Sequence, residues 1–379
     1  MTTTDVDPTS SGSGNEARAV PVAIVGLGVT LPGAPDVRSF WNNLVEGTDA
    51  VTDVPPRRWD ARFYEPKPTG PRRADQISCR RGGFVDEEIA VDLARFGIDP
   101  ERARTIDPEQ LIALHVAAAA IEDAGGAARL GSPGRIGIVL GHGSTVSPGL
   151  ARLDQRVRTA RQLVHVLATL MPSLVHDDLE RVRTAFTDEL GTPPGPETLV
   201  PGTLASRLAG WLGTRGPAYA VDAACASSLI AVDAAVAHLT AGQCDAVVAG
   251  GVHHCHDITL WSVFSQLGTL SESQRISPLG AGADGMLLGE GTGMIVLKRL
   301  DDALAAGDRV YAVIRGSGVS SGVSGGPDGD GDGGTAGSPG RVEALERAWA
   351  VAGLDPRQAG SVGLVEAHGS GVREDDAAE

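Results

Sequence analysis

The stretch from residue 217 to residue 252 constrains the fold more than any other part of the sequence. It begins with a short strand pattern, PAYAVDAA, continues with a helix pattern, CASSLIAVDAAVAHLTAG, and ends with a second strand pattern, CDAVVAGGV. One face of the helix carries an apolar stripe formed by Leu229, Val232, Val236 and Leu239. Because the connections are short, we expect two parallel strands with the helix on one face of their sheet.

Strand and helix patterns alternate along the rest of the chain, which is typical of an α/β protein. VPVAIVGLG, GRIGIVLGHGS, GTGMIVLKRL and RVYAVIRGSG indicate strands, and SVGLVEAHG indicates a strand that ends at His368. DPEQLIALHVAAAAIEDAG predicts a helix with Asp107 as its N-cap and Gly125 just beyond its end. The amphipathic pattern of residues 150–190 predicts helices, which we interpret as an insertion or cap at about 150–200.

Charge and cysteine content exclude several classes of protein. A net charge of −16 over 379 residues argues against a nucleic-acid or anionic-membrane surface. No apolar run is long enough to cross a bilayer. Residues 1–18 are polar and predict a disordered tail without the apolar core of a signal peptide. The four cysteines include no C-x-x-C pair, which favours reduced thiols in a cytoplasmic protein.

Cys225 lies at the predicted junction of strand and helix, within VDAACASSL. The first N–H groups of a helix have no acceptor, and their field favours a thiolate over a thiol. Ala226, Ser227 and Ser228 are small, so a thioester carbonyl has room to approach the backbone. By position alone, Cys225 is explained equally well as a nucleophile or as a buried structural cysteine.

His368 ends a predicted strand and is followed by glycine. Proteins of the α/β class place catalytic groups in the turns beyond strand ends. A hydrogen-bonded loop histidine is the alternative, and the residue taken alone favours that alternative.

Three other motifs are incomplete. Gly26 and Gly28 begin a dinucleotide fingerprint, but Leu31 occupies its third glycine position. The four residues of HHCH, 253–256, are adjacent and cannot all reach one ion. DGDGDGG at 328–334 lacks the glutamate that closes a calcium loop. We therefore predict neither a nucleotide site nor a metal site.

Ordered blocks of this sequence resemble the ketosynthase (β-ketoacyl synthase) domain of type I polyketide and polyunsaturated-fatty-acid synthases. VDAACASSL and VEAHGSG carry the resemblance at the two candidate site residues. AIVGLGVTLPGAPDVRSFWNNLVEGTDAV, RRGGFVDE, ADGMLLGEGTGMIVLKRL and GDRVYAVIRGSG extend it from residue 19 to residue 379. VDAACASSL and FSQLGTLS are closer to the iterative branches than to modular assembly lines.

The resemblance implies an α/β thiolase-like fold, which is a duplicated unit in five α-β-α-β-α layers, usually in a homodimer. It also implies a decarboxylative Claisen condensation in polyketide or fatty-acid biosynthesis. Cys225 would hold the acyl chain, His368 would stabilise the enolate formed by decarboxylation, and Ser370 and Ser227 would contact substrate. No bound cofactor is implied, because the acyl and malonyl thioesters are carried on the phosphopantetheine arm of an acyl carrier protein.

The chain departs from the family pattern at its C-terminal end. It stops at Glu379, before the K-x-N-x-G-H block that holds the family's second histidine, so it resembles a C-terminally truncated domain. Val372 replaces a threonine that contacts phosphopantetheine in the family, and SPLG at 277–280 replaces P-F-D. We expect apolar core surface to be exposed, and the chain alone to be unstable or inactive in condensation.

Two other functions stay open. A non-catalytic remnant or partner subunit would use the same fold for association; the early C-terminus favours it, and the retained Cys225 and His368 oppose it. A degradative thiolase would need coenzyme A substrates and a second active cysteine near its C-terminus. If the chain is a ketosynthase, Arg72, Arg73, Arg80 and Arg81 are a candidate docking surface for an acidic carrier protein.

Overall fold

The structure is a computed structural model that describes residues 20–56, 58–66, 73–85, 89–143, 148–191, 195, 199–200, 202–254, 258–321 and 338–379. The predicted tail at residues 1–18, Cys255, His256 and the aspartate-rich run at 328–334 lie outside the described residues.

The β-strands of the described residues are β1 Val22–Thr30, β2 Val51–Asp53, β3 Arg81–Gly83, β4 Ile136–His142, β5 Ala218–Val221, β6 Ala246–His253, β7 Leu288–Gly289, β8 Gly291–Arg299 and β9 Ala312–Ile314. The α-helices are α1 Val37–Glu46, α2 Pro100–Ala103, α3 Pro108–Asp123, α4 Pro148–Asp154, α5 Ala160–Leu170, α6 His176–Glu189, α7 Thr203–Leu212, α8 Ser227–Thr240, α9 Ile258–Leu267, α10 Leu300–Ala306, α11 Ser338–Ala352 and α12 Arg373–Ala378.

Six strands form the main sheet in the order β5-β4-β6-β8-β1-β9, and β2, β3 and β7 form a smaller sheet. Strand β4 pairs in parallel with both β5 and β6. The pairs β6–β8, β8–β1 and β1–β9 are antiparallel. The strands on either side of α8, β5 and β6, therefore run in the same direction as predicted, but β4 lies between them.

Helices α3 and α8 cover opposite faces of the main sheet. Along β4, Ile138 and Leu140 face the α3 side of the core, whereas Val139 packs with α8. This alternation follows from the period of two along a strand. Because both faces are covered, β4 is buried along almost its whole length, which agrees with its continuous apolar sequence.

Gly26 and Gly28 serve helix packing. A Cβ atom at Gly26 would lie less than 3.0 Å from the carbonyl oxygen of Ala120, and one at Gly28 equally close to that of Val116. The backbone of α3 thus lies directly on β1, in a position that no larger residue permits. The glycine pair that resembles a dinucleotide fingerprint therefore has a packing explanation.

Helix α3 confirms the predicted capping signals. It begins at Pro108, and the side chain of its N-cap, Asp107, accepts the N–H of Glu109. Gly125 follows the C-cap with a positive φ of 92° and donates to the carbonyl of Glu122. Local sequence signals therefore fix both ends of this helix.

The buried face of α8 includes the predicted stripe except for Leu229. Ala231, Ala235 and Leu239 are fully buried against the sheet, whereas Leu229 is 73 % exposed. These three buried residues recur every four positions along one face of the helix. The small side chains of Ala231 and Ala235 let α8 approach the glycine-containing strands closely. Val232 and Val236 are partly buried and pack against the same core cluster.

Residues 361–369, SVGLVEAHG, contain no strand, so this prediction was wrong. Leu364 and Val365 are 84 % and 74 % exposed. No described strand pairs with this segment, and a strand requires a hydrogen-bonded neighbour. Strand β9 is likewise shorter than the predicted RVYAVIRGSG and ends at Ile314.

The helices predicted at residues 150–190 are present as α4, α5 and α6. A π-helical turn, Gln155–Thr159, joins α4 to α5 without a break, and α6 packs against α5 as a hairpin. Whether this hairpin is an insertion relative to related chains stays a prediction. No helix in the described segments is long and apolar enough to span a bilayer.

Candidate active site

Cys225 lies on a short turn between β5 and α8. The turn is a 3₁₀ segment, Ala224–Ala226, and the carboxylate of Asp222 accepts the N–H of Ala224 at 3.1 Å. Ala224 has a φ of +50°, which is rare for a residue other than glycine. The conformation leaves the Cys225 side chain exposed. Strained turns of this kind concentrate at functional sites.

Ser227 holds this turn together. Its Oγ accepts the N–H of Ala223 at 2.8 Å and donates to the carbonyl of Ala224 at 2.6 Å. The residue is buried. Its hydroxyl is thus engaged with the backbone on both sides of the left-handed residue, and the predicted contact between Ser227 and substrate stays a prediction.

Glycines of β4 and β6 support the start of α8. A Cβ atom at Gly141 would lie less than 3.0 Å from the backbone of Ser227, and one at Gly251 would lie 2.7 Å from the Cβ of Ser228. Both glycines are near the carboxyl ends of parallel strands. The Cys225 turn therefore lies at the strand edge where α/β proteins commonly place their chemistry.

The other cysteines of the described residues differ from Cys225. Cys79 and Cys244 are free thiols in the core, and burial raises the pKa of each. A buried neutral thiol is a poor nucleophile because the thiolate is the reactive form. The exposure of Cys225 contradicts the interpretation as a buried structural cysteine, and its role as a nucleophile stays a prediction.

His368 lies in a loop that carboxylates hold in place. Its N–H and that of Gly369 donate to the two carboxylate oxygens of Glu379, at 2.6 and 2.8 Å. These hydrogen bonds hold the pKa of Glu379 below its usual range. The His368 residue itself is exposed. The loop is therefore fixed through its backbone, and the imidazole is left accessible.

Ser370 is buried in the same loop. Its Oγ accepts the N–H of Val372 at 3.1 Å, and Asp376 accepts the N–H of Gly371 at 3.0 Å. The other carboxylate oxygen of Asp376 accepts the N–H of Leu279 at 2.6 Å. The atypical SPLG segment is thereby attached to the His368 loop. The predicted contact between Ser370 and phosphopantetheine stays a prediction.

The Cys225 turn and the His368 loop are joined only indirectly in the part of the chain that the structure describes. Ser317 donates to Asp233 of α8 at 2.5 Å, which fixes the segment after β9 on that helix. Gly318 in the same segment lies against the backbone of α11. Arg341 of α11 donates to the carbonyl of Asp375 at 2.9 Å. No described hydrogen bond or ion pair links Cys225 with His368, so their cooperation stays a prediction.

A partly buried His142–Glu109 pair near the turn was missed by sequence reasoning. His142 ends β4, and its Nε2 lies 2.9 Å from Oε1 of Glu109 in the first turn of α3. The hydrogen bond with Glu109 raises the pKa of His142 despite the opposing effect of burial. His142 also lines a cavity of about 540 Å³ together with Ser206 and Asp222. The sequence signal that could have indicated this pair is the presence of two polar residues, Glu109 and His142, inside otherwise apolar segments.

The described histidines of the HHCH motif, His253 and His254, belong to no metal-binding group among the described residues. His254 is buried, with Nε2 3.1 Å from Oγ1 of Thr292, and burial lowers its pKa to about 4. Within the described ranges, no group of three or more histidine, cysteine or acidic residues is placed to bind a metal ion. His253 is described as the last residue of β6, whereas Cys255 and His256 lie outside the description.

Solved structures of ketosynthase domains share this fold. The oxazolomycin ketosynthase domain OzmH KS7 of Streptomyces albus aligns with a TM-score of 0.75 at 29 % identity, covering 94 % of this chain and 56 % of that one. The ketosynthase from module 6 of the bacillaene synthase of Bacillus subtilis aligns with a TM-score of 0.72 at 27 % identity, over 94 % and 53 %. These similarities confirm the predicted thiolase-like α/β fold of the ketosynthases.

The family profile of the β-ketoacyl synthase N-terminal domain matches residues 19–303. Polyketide synthase PksN of Bacillus subtilis is 32 % identical over 365 residues, which is 96 % of this chain and 6 % of PksN. The phthioceranic/hydroxyphthioceranic acid synthase of Mycobacterium tuberculosis is 35 % identical over 359 residues, which is 94 % of this chain and 15 % of that protein. The chain therefore belongs to the β-ketoacyl synthase family, as the resemblance predicted.

The chain spans about half the length of the solved ketosynthases and a small part of the curated relatives. The curated relatives named above are a polyketide synthase and a phthioceranic/hydroxyphthioceranic acid synthase. The iterative subtype stays a prediction.

Proposed function

We propose that this chain carries the nucleophile of a β-ketoacyl synthase that joins a cysteine-bound acyl chain to a malonyl unit on an acyl carrier protein. The observation that carries the proposal is the exposed Cys225 thiol on the left-handed turn before α8. Membership of the β-ketoacyl synthase family supports the same reaction class.

In the loading step, the Cys225 thiolate attacks the carbonyl carbon of an acyl thioester. The tetrahedral intermediate collapses, the carrier's phosphopantetheine thiolate leaves, and the acyl group remains on Cys225. The N–H of Cys225 belongs to the first turn, where no helical carbonyl accepts it, so it is suited to donate to the oxyanion. Attack by the thiolate form needs no separate general base.

In the condensation step, the malonyl thioester loses carbon dioxide, and the electron pair of the broken C–C bond forms an enolate. The enolate carbon attacks the acyl-Cys225 carbonyl, the C–S bond breaks, and the thiolate is regenerated. The product is a 3-oxoacyl thioester on the carrier protein. We assign His368 as the hydrogen-bond donor to the enolate oxygen, a role supported by its exposed ring on a fixed loop.

The proposed partner is an acyl carrier protein whose phosphopantetheine presents both thioesters. Arg73, Arg80 and Arg81 of the candidate docking surface form ion pairs with Asp75 and Asp53, whereas Arg72 lies outside the described residues. These ion pairs reduce the positive charge offered to an acidic carrier.

Free thiols at Cys79, Cys225 and Cys244 support a reducing, cytoplasmic location.

We also propose a homodimer. Strand β5 is an edge strand of the main sheet, paired only with β4 among the described strands. The outer edge of such a strand offers unpaired backbone groups to a second copy of the chain. Light scattering at several protein concentrations tests this proposal. A monomer at every concentration would contradict it.

The experiment for the main proposal is acylation with a small acyl thioester, such as an acyl-N-acetylcysteamine, followed by peptide mass spectrometry. We expect the acyl mass on the Cys225 peptide, and its loss in Cys225→Ala. The buried Cys79 and Cys244 are internal controls and should stay unmodified. An unmodified Cys225 peptide from protein that circular dichroism shows to be folded would favour a non-catalytic subunit.

A further inference from the structure

The helical hairpin of α5 and α6 contains a cleft that the proposed ketosynthase chemistry does not use. Its volume is about 670 Å³. Arg156, Arg161 and His165 line it from the π-helical turn and α5, and Glu180 and Arg183 line it from α6. Three guanidinium groups face one carboxylate, which leaves an excess of two positive charges in a chain whose net charge is −16.

Arg156 is held by backbone groups and not by a carboxylate. Its Nη2 donates to the carbonyls of Thr187 at 2.8 Å and Gly191 at 2.5 Å. Its Nε is buried and has no hydrogen-bond partner among the described residues. Arg156 belongs to the π-helical turn Gln155–Thr159, and such turns occur frequently at functional sites. Because this Nε is buried while the cleft is open, it does not face the cleft, and Arg156 contributes to the cleft through its charge.

Arg161 is the second unneutralised cation. It is exposed, and no ion pair or hydrogen bond joins its guanidinium group to any residue that the structure describes. Other arginines of the same hairpin have acidic partners: Arg158 pairs with Asp154 at 2.7 Å, and Arg183 with Glu180 at 2.7 Å. Arg161 therefore contributes a full positive charge to the cleft.

We propose that this cleft binds a phosphate group, as inorganic phosphate or as a phosphate ester. The charge excess matches a dianion, and the planar fork of a guanidinium group matches two phosphate oxygens. Arg156 contributes its positive charge, and the exposed, unpaired guanidinium group of Arg161 supplies the fork. A ligand with a single carboxylate would neutralise only one of the two excess positive charges. The proposal is independent of Cys225 and of the condensation reaction.

Calorimetric titration of the full chain tests the site with three probes: inorganic phosphate, pantetheine 4′-phosphate and pantetheine. We expect Arg161→Ala to weaken phosphate binding about tenfold or more, the usual effect of losing charge-assisted hydrogen bonds. Arg158→Ala is the matched control, because it removes the same charge from the same segment outside the cleft. It should change the affinity by less than about twofold.

The three probes also identify the source of the phosphate. The cleft is assigned to a phosphate ester if pantetheine 4′-phosphate binds more tightly than inorganic phosphate and pantetheine gives no binding heat. Equal binding of the two phosphates assigns it to free phosphate. No heat with either phosphate, equal weakening by the two arginine variants, or equal binding of pantetheine and its phosphate would each overturn the proposal. Acylation of Cys225 is measured separately, so failure of one proposal is distinguishable from failure of the other.

Discussion

At the residue scale, one hydroxyl group sets the conformation of the nucleophile turn. Ser227 bonds to the backbone of Ala223 and Ala224, and Ala224 is the residue with positive φ. A left-handed alanine is unfavourable by about 1–2 kcal/mol unless its surroundings stabilise it. Ser227 supplies that stabilisation from the first residue of α8.

Replacing Ser227 with alanine is expected to destabilise the turn. Ser227→Ala leaves the N–H of Ala223 and the carbonyl of Ala224 without their partner, which should lower the free energy of unfolding by about 1–3 kcal/mol. Urea denaturation measures this change. The exposed Ser228 provides the matched control, because Ser228→Ala removes a hydroxyl from the next position. Similar losses in the two variants would contradict the assigned role of Ser227.

The His142–Glu109 pair predicts a pH dependence of stability. Because Glu109 raises the pKa of His142 in the folded protein above its ordinary 6.5, protonated His142 stabilises the fold fully below that pH. The contribution is lost as the pH rises through the folded-state pKa. The difference in unfolding free energy between the native chain and His142→Gln should therefore shrink as the pH rises above about 6.5.

The comparison with His142→Gln isolates this pair from other ionisable groups. Asp107, Asp222 and His253 also interact electrostatically with His142 or lie beside it, and they are the same in both proteins. His254, whose lowered pKa gives the opposite pH dependence, is shared as well. A difference that stays constant or grows with pH would show that the pair does not stabilise the charged histidine.

At the scale of elements, a glycine in β4 determines how closely the first residue of α8 approaches the sheet. The backbone of Ser227 lies against Gly141 so closely that no Cβ atom fits between them. The position of the Cys225 turn therefore depends on the absence of a side chain at Gly141. This residue lies in β4, about eighty residues before the turn in the sequence. Sequence periodicity does not report this kind of contact, because the two segments meet only in the folded sheet.

Gly141→Ala is expected to displace the start of α8 and slow acylation of Cys225. The added Cβ meets backbone atoms, which cannot move as a flexible side chain can. Gly210→Ala is the control, since Gly210 lies in α7 with open space around its Cβ position. Alanine there should keep or raise stability by up to about 1 kcal/mol. Unchanged thioester reactivity in folded Gly141→Ala would contradict this dependence.

At the scale of the whole molecule, apolar side chains remain on the surface beside the candidate site. Leu364 and Val365 lie in the segment that the sequence predicts as a strand, and both are largely exposed. The expected exposure of apolar surface is therefore present in this region. Exposed patches of this kind promote association or aggregation.

The double variant Leu364→Ser with Val365→Ser should bind less of a hydrophobic dye such as ANS and aggregate less. Its free energy of unfolding should stay within about 0.5 kcal/mol of the native value, because neither side chain is packed. Leu170→Ser, 73 % exposed on α5, is the control for a general loss of surface apolarity. A large loss of stability in the double variant would show that these residues are buried in solution.

The sequence by itself determined the elements whose signals are local. The caps of α3, the strand character of β4 and β6 and the position of Cys225 between β5 and α8 all follow from neighbouring residues. Family motifs added the expected fold because they record many residues in a fixed order. Among the described residues, the strand predicted at 361–369 is absent, and no described strand pairs with that segment.

Only the tertiary structure shows that Leu229 of α8 is exposed and that His142 is hydrogen-bonded to Glu109. It also explains why residues 26, 28 and 141 are glycines. These features depend on distances between segments that are far apart in the chain. A one-dimensional pattern shows which residue types recur, whereas packing depends on which atoms approach within a few ångströms after the sheet has formed.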